Sequence, residues 1–121
     1  VISVLMGLAG SVAMADTGVP SGQIATLSET LIDGDTVRFR FLTPAIAPVA
    51  DGLNYTDVEG DFMALCHDVA LPVLADLQMQ PSSVVISMMS APTEFGVANP
   101  EVIQFFEGFI IENNACIWEQ F

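Results

Sequence analysis

The chain has 121 residues, 52% of them hydrophobic, and sets 15 acidic residues against two arginines for a formal charge of −13. That charge opposes nucleic acid and anionic membrane surfaces as partners, and it leaves a basic protein or a divalent cation as the species it would attract. The length suits one domain with one core.

Residues 1–15 form an uncharged apolar run that ends in Ala13-Met14-Ala15, the small-x-small pattern of a signal-peptidase site, with polar Asp16 immediately after. The run is too short to cross a bilayer core of about 30 Å, which takes roughly 20 helical residues, so a cleaved signal peptide is expected rather than an anchor. No cysteine stands at the cut, which argues against a lipoprotein. The reading is therefore a partial signal peptide over 1–15, a single mature domain over 16–121, and a periplasmic location without stable membrane insertion.

After a polar lead-in, residues 23–31 read as a first strand, and Asp33-Gly34-Asp35 supplies hairpin-turn chemistry. The next strand is the clearest in the chain, with Val37, Phe39 and Phe41 on one face and Arg38 and Arg40 on the other. Residues 45–54 lack a period and carry Pro48 and Gly52, which predicts a loop. Asp57 is a plausible N-cap for the main helix, whose apolar stripe is Val58, Phe62, Leu65 and Val69. Pro72 should kink this helix or start a new first turn that runs to about Leu77.

Residues 84–89 form an apolar run between proline-bearing turns, as a central strand would, and Glu94 to Val97 suggests a short neighbour. Asn99-Pro100-Glu101 has the form of a helix start, followed by Val102, Ile103, Phe105 and Phe106, with Gly108 as the stop. Residues 109–112 and 115–121 flank the turn-prone Asn113-Asn114 and complete a C-terminal hairpin. The expected fold is α+β: a mostly antiparallel sheet with two helices packed on one face.

An oxidising compartment would pair the two cysteines, Cys66 and Cys116, and so tie the main helix to the last strand. Arg38 and Arg40, the whole basic inventory, share one strand face and could grip a carboxylate or phosphate from outside. Fifteen acids compete for them, however, so internal pairing with Glu29, Glu94 or Glu119 is the stronger expectation. His67 has no nucleophile context around it, and Cys66 and His67 lack the further soft ligands a zinc site needs. Gly60 and Phe62 stand at the wrong positions for a calcium loop at Asp57, Glu59 and Asp61. No catalytic residue, metal or cofactor is expected.

The segments Pro20-Ser21-Gly22-Gln23, Val37 to Phe41, Leu65 to Pro72, Glu94 to Val97 and Cys116 to Phe121 together resemble a family of small exported alphaproteobacterial proteins of unknown function. The resemblance spans nearly the whole mature chain and implies a periplasmic protein, without supplying a mechanism. The functional expectation is a non-catalytic binding or accessory module for a periplasmic protein partner or a small ligand, with a small hydrolase or a structural envelope component as the alternatives.

Overall fold

The computed structural model describes residues 16–119, so the signal peptide expected over 1–15 lies outside the described residues. The strands are β1 (Asp16–Gly18), β2 (Ile24–Asp33), β3 (Thr36–Leu42), β4 (Ser83–Met89), β5 (Gln104–Glu112) and β6 (Ala115–Trp118). Among the described residues one long helix, α1, spans residues 55–77 between β3 and β4, after a short 3-10 turn at Pro44–Ile46. The sheet order is β1-β2-β3-β4-β5-β6, antiparallel throughout except that β3 and β4 run parallel. A parallel pair needs a long crossover, and α1 supplies it.

This architecture corrects the expected antiparallel sheet with two helices. The sheet is mixed and curled, and it carries a single helix of 23 residues. Residues 99–103 form turns, and the second predicted helix is strand β5, paired with β4 from Met89↔Gln104 to Ser83↔Ile110. The run of Val102, Ile103, Phe105 and Phe106 fits helical spacing as well as it fits alternation, and a place beside the central strand β4 decides for the strand. Asn99 accepts from Glu101 N at 3.3 Å, which is a local turn and not a helix cap. Gly108 ends no helix. It sits inside β5 where the side chain of Glu119 crosses it, so close that an added Cβ would lie 2.8 Å from Glu119 Oε1. The predicted short strand at Glu94 to Val97 is part of the loop 90–103, and the polar lead-in contains β1.

The helix starts one turn earlier than expected. Asn54 is the N-cap: its side chain accepts from Asp57 N at 3.0 Å, while the Asp57 carboxylate accepts from Asn54 N at 2.9 Å. Pro72 does not break α1. Residues Cys66–Ala70 widen into a π turn in which Leu71 N–H donates to Cys66 O, and this extra residue gives room to the carbonyls that a proline ring would otherwise meet.

Alternation sorts the two faces of the sheet. Val37, Phe39 and Phe41 of β3, Val84, Ile86 and Met88 of β4, and Phe109 of β5 point toward Val58, Phe62 and Leu65 of α1, and all of them are fully buried. Burial of this apolar surface is the main favourable term in the fold. The opposite face carries Arg38, Arg40, Phe106 and Ile117 and, among the described residues, has no helix over it.

Candidate functional site

Cys66 opens the π turn on the buried side of α1, and its sulfur is bonded to that of Cys116 on β6. The bond fastens the crossover helix to the strand at the sheet's edge. His67, next in sequence, is exposed on the helix. Asp61 behaves unlike the other acids of its turn. It is 1% exposed and accepts from Ser21 N at 2.9 Å, Ser21 Oγ at 2.6 Å and Gln23 Nε2 at 2.9 Å. This clamp joins the β1–β2 turn to α1, and the sequence reading missed it. The signal was present: Asp61 precedes Phe62 on the buried stripe, where a carboxylate must find donors.

A second polar bridge lies between α1 and the sheet. Glu107 accepts from Tyr55 Oη and, at 3.1 Å, from Trp118 Nε1. Burial first, then the hydrogen bond and charge of Glu107, push the Tyr55 phenol up to about 12. Tyr55 and Trp118 also pack edge-on against Phe105 and Phe62 respectively, so Glu107 is held within an aromatic cluster.

On the uncovered face, the two arginines differ. Arg40 is 3% exposed. Its guanidinium donates to Glu29 on β2, to Thr93 O at 3.0 Å and to Met89 Sδ at 3.6 Å. Its charge is spent inside the protein. The Arg38 side chain is 31% exposed and lies 3.7 Å from Asp33, too far for a hydrogen bond, and its buried Nε has no partner among the described residues. Phe95, from the loop 90–103, lies over both, its ring centroid 5.5 Å from the Arg38 guanidinium carbon and 5.6 Å from that of Arg40. Glu94 is exposed, and it is Thr93 O beside it that reaches Arg40. Glu119 lies across Gly108 on β5, with its backbone N–H donating to Gly108 O at 2.9 Å.

This face also presents large apolar side chains to solvent: Phe106, which the strand register sets level with Arg40, is 68% exposed, and Phe95 over the arginines and Ile117 on the edge strand are exposed too. Acidic residues stand among them: Asp33 near Arg38, Glu94 next to Phe95, and Glu119, whose side chain crosses Gly108 between Phe106 and Ile110 of β5. Scattered exposed apolar residues need no explanation, but several on one uncovered sheet face do.

Two clefts open at the ends of the helix. One, of about 430 Å³, lies by the loop after β3 and is lined by Ser21, Gln23, Asp51 and Gly52 among others. The larger, about 510 Å³, lies where α1 ends, between the β2–β3 and β5–β6 turns. Among the described residues, no group of three or more His, Cys, Asp or Glu side chains is placed to hold a metal ion. No described helix is long and apolar enough to cross a membrane.

No curated protein and no solved structure matches the chain. A family model does, over residues 4–121, and its extent takes in the arginine strand, the helix, both cysteines and the aromatic face. The chain belongs to that family, a family of unknown function designated DUF6497.

Proposed function

We propose that this protein is an exported, non-catalytic binding module whose working surface is the uncovered face of its sheet, and that its partner is a periplasmic protein surface that carries both apolar and basic side chains. The observation that carries this reading is the exposure on that face of three large apolar side chains, Phe95, Phe106 and Ile117, with the carboxylates of Glu94 and Glu119 among them. Exposed aromatic side chains are the usual anchors of such contacts. A net charge of −13 would draw a basic partner by long-range attraction. The disulfide and the apolar run over 1–15 support export, since such bonds persist in oxidising compartments. Arg38, already stacked on Phe95, would lie within the contact as a fixed donor for a partner carbonyl or carboxylate.

The test is site-specific photocrosslinking in cells, with the crosslinker at position 106 and, as a control, at position 67 on the exposed side of the helix. A single basic protein captured from position 106 and not from 67, and lost when Arg38→Gln is added, is the expected outcome. Equal capture at both positions, or none at 106, would reject the face as the working surface. Cell fractionation that leaves the protein in the cytoplasm with free thiols would reject export.

A further inference from the structure

We infer that the 510 Å³ cleft at the end of α1 is a binding site for a small organic cation, an ammonium or guanidinium group carried on an apolar body. The site is distinct from the sheet face and does not depend on it. Its volume falls in the range of small-molecule sites, which combine an apolar lining with a few converging polar groups. The floor is Leu71, Leu74, Met79 and Ile111, and the rim is Asp35, Gln80, Ser82, Asn113 and Asn114. The floor accounts for the apolar body of the ligand.

Three features set the charge. Asp35 is the one ionisable side chain of the lining. Its Oδ1 accepts from Ser82 N at 3.1 Å, which fixes the carboxylate at the rim. Donors on Ser82, the hydroxyl first and the backbone N–H second, hold its carboxyl below the ordinary carboxylate range, so the group is an anion at any physiological pH. The helix ends at this wall, and the negative end of its dipole adds to the same sign. The third feature is the position of the cations. Arg38 and Arg40, the only Lys or Arg of the chain, stand on the other side of the sheet, and His67, the one further basic side chain, is not among the residues that line the cleft. The rim carbonyl oxygens of Asn113, Asn114 and Gln80 are acceptors suited to the N–H groups of an ammonium or guanidinium. The two asparagines are held at the rim by a hairpin turn in which both have positive φ, 53° and 59°.

The inference is tested by amide-resolved NMR titration of the mature protein with three probes of matched shape: 2-phenylethylammonium, 2-phenylethanol and phenylacetate. Shifts should cluster on residues 71–82 and 111–114, and the ammonium should bind about tenfold or more tightly than the carboxylate. Asp35→Asn keeps an acceptor for Ser82 N and should bring the ammonium to within about twofold of the alcohol. Ala75→Phe should fill the cleft from the exposed helix surface and abolish binding of all three while the melting temperature holds. Equal affinity for the three probes, shifts centred on the uncovered face near Phe106, or binding that survives Ala75→Phe would each overturn the inference.

Discussion

Phe39 and Phe106 lie in the same sheet, on β3 and β5, yet Phe39 is sealed beneath the helix and Phe106 is 68% exposed. The helix side closes on itself. Phenylalanines from three elements meet there, and the carboxylates among them find donors: Asp61 in Ser21 and Gln23, and Glu107 in Tyr55 and Trp118, while the buried Gln23 Oε1 has no partner among the described residues. The other side has similar residue types but, among the described residues, no helix, and the loop 90–103 lays the Phe95 ring over its two cations. Identical side-chain chemistry thus serves stability on one face and is left available for contact on the other. What separates them is only which face the crossover helix covers.

The sharpest way to break this contrast is to truncate one aromatic on each side. Phe62→Ala should cost about 4 kcal/mol, because a fully buried ring is replaced by a cavity beneath Trp118 and Tyr55. Phe106→Ser should change stability by no more than about 0.5 kcal/mol. Chemical denaturation of both variants checks the pair, and a Phe106→Ser loss comparable to that of Phe62→Ala would mean the uncovered face is core after all. Cys116→Ser belongs with the large effects. It opens a loop whose ends are 50 residues apart, worth about 4 kcal/mol on the loop-entropy estimate and a fall of roughly 20 °C in melting temperature.

The arginines make the same comparison within one strand. Arg40→Gln should cost about 2 kcal/mol, since it strips Glu29 and Thr93 O of a donor at a site 3% exposed. Arg38→Gln should cost between about 0 and 0.5 kcal/mol, because its one ion pair is long and open to water. If the two variants melt together, the distinction between a spent and an available arginine is wrong.

Local chemistry was legible in the residues. The alternation of Val37 to Phe41, the Asp33-Gly34-Asp35 and Asn113-Asn114 turns, and the stripe of Val58, Phe62 and Leu65 all lie in the elements their patterns predicted. The relation between elements was less so. Nothing in β3 or β4 says that they run parallel, since that follows from the crossover and not from the strands. The stretch after Asn99 carries both a helix-start signature and a strand's alternation, and only the neighbouring β4 resolves it. Pro72 argued for a kink or a new first turn to about Leu77, and the helix does end at Leu77, but one extra residue in the π turn carries it past the proline without interruption. The site followed the same rule. Glu29 as the partner of Arg40 follows from the hairpin register, whereas Phe95 reaches both arginines from a loop that no sequence period places.

The polar bridge on the closed face gives a test by pH. The Tyr55 phenol loses its proton near 10 in the unfolded chain and about 12 in the folded one. Between these values the folded state holds more protons than the unfolded state, so stability is full below about pH 10 and falls as pH rises toward 12. Tyr55→Phe should remove that fall, and denaturation midpoints measured from pH 9 to 12 would show it. A fall unchanged in Tyr55→Phe would assign it to other groups.

One expected effect is a gain, and it sits where the closing helix ends. Gln78 terminates α1 in the left-handed region, with φ 57° and ψ 42°, while its N–H donates to Ala75 O and Met79 N–H to Leu74 O at 3.0 Å. This is the hydrogen-bond pattern that usually has glycine at the turning residue, because a Cβ there crowds the backbone. The Gln78 side chain is exposed and donates or accepts no hydrogen bond with another described residue, so little is lost with it. Against the relief of strain stands the added freedom of glycine in the unfolded chain, which offsets part of the gain. Gln78→Gly should therefore raise stability by roughly 0.5 to 1 kcal/mol, while Ala75→Gly, one turn earlier with ordinary helical geometry, should lower it by about 1 kcal/mol. Opposite signs from the same introduced residue, with amide shifts on the uncovered face unchanged in both, would confine the effect to the covered side. If Gln78→Gly also destabilised the protein, the left-handed residue would have to be contributing through its side chain.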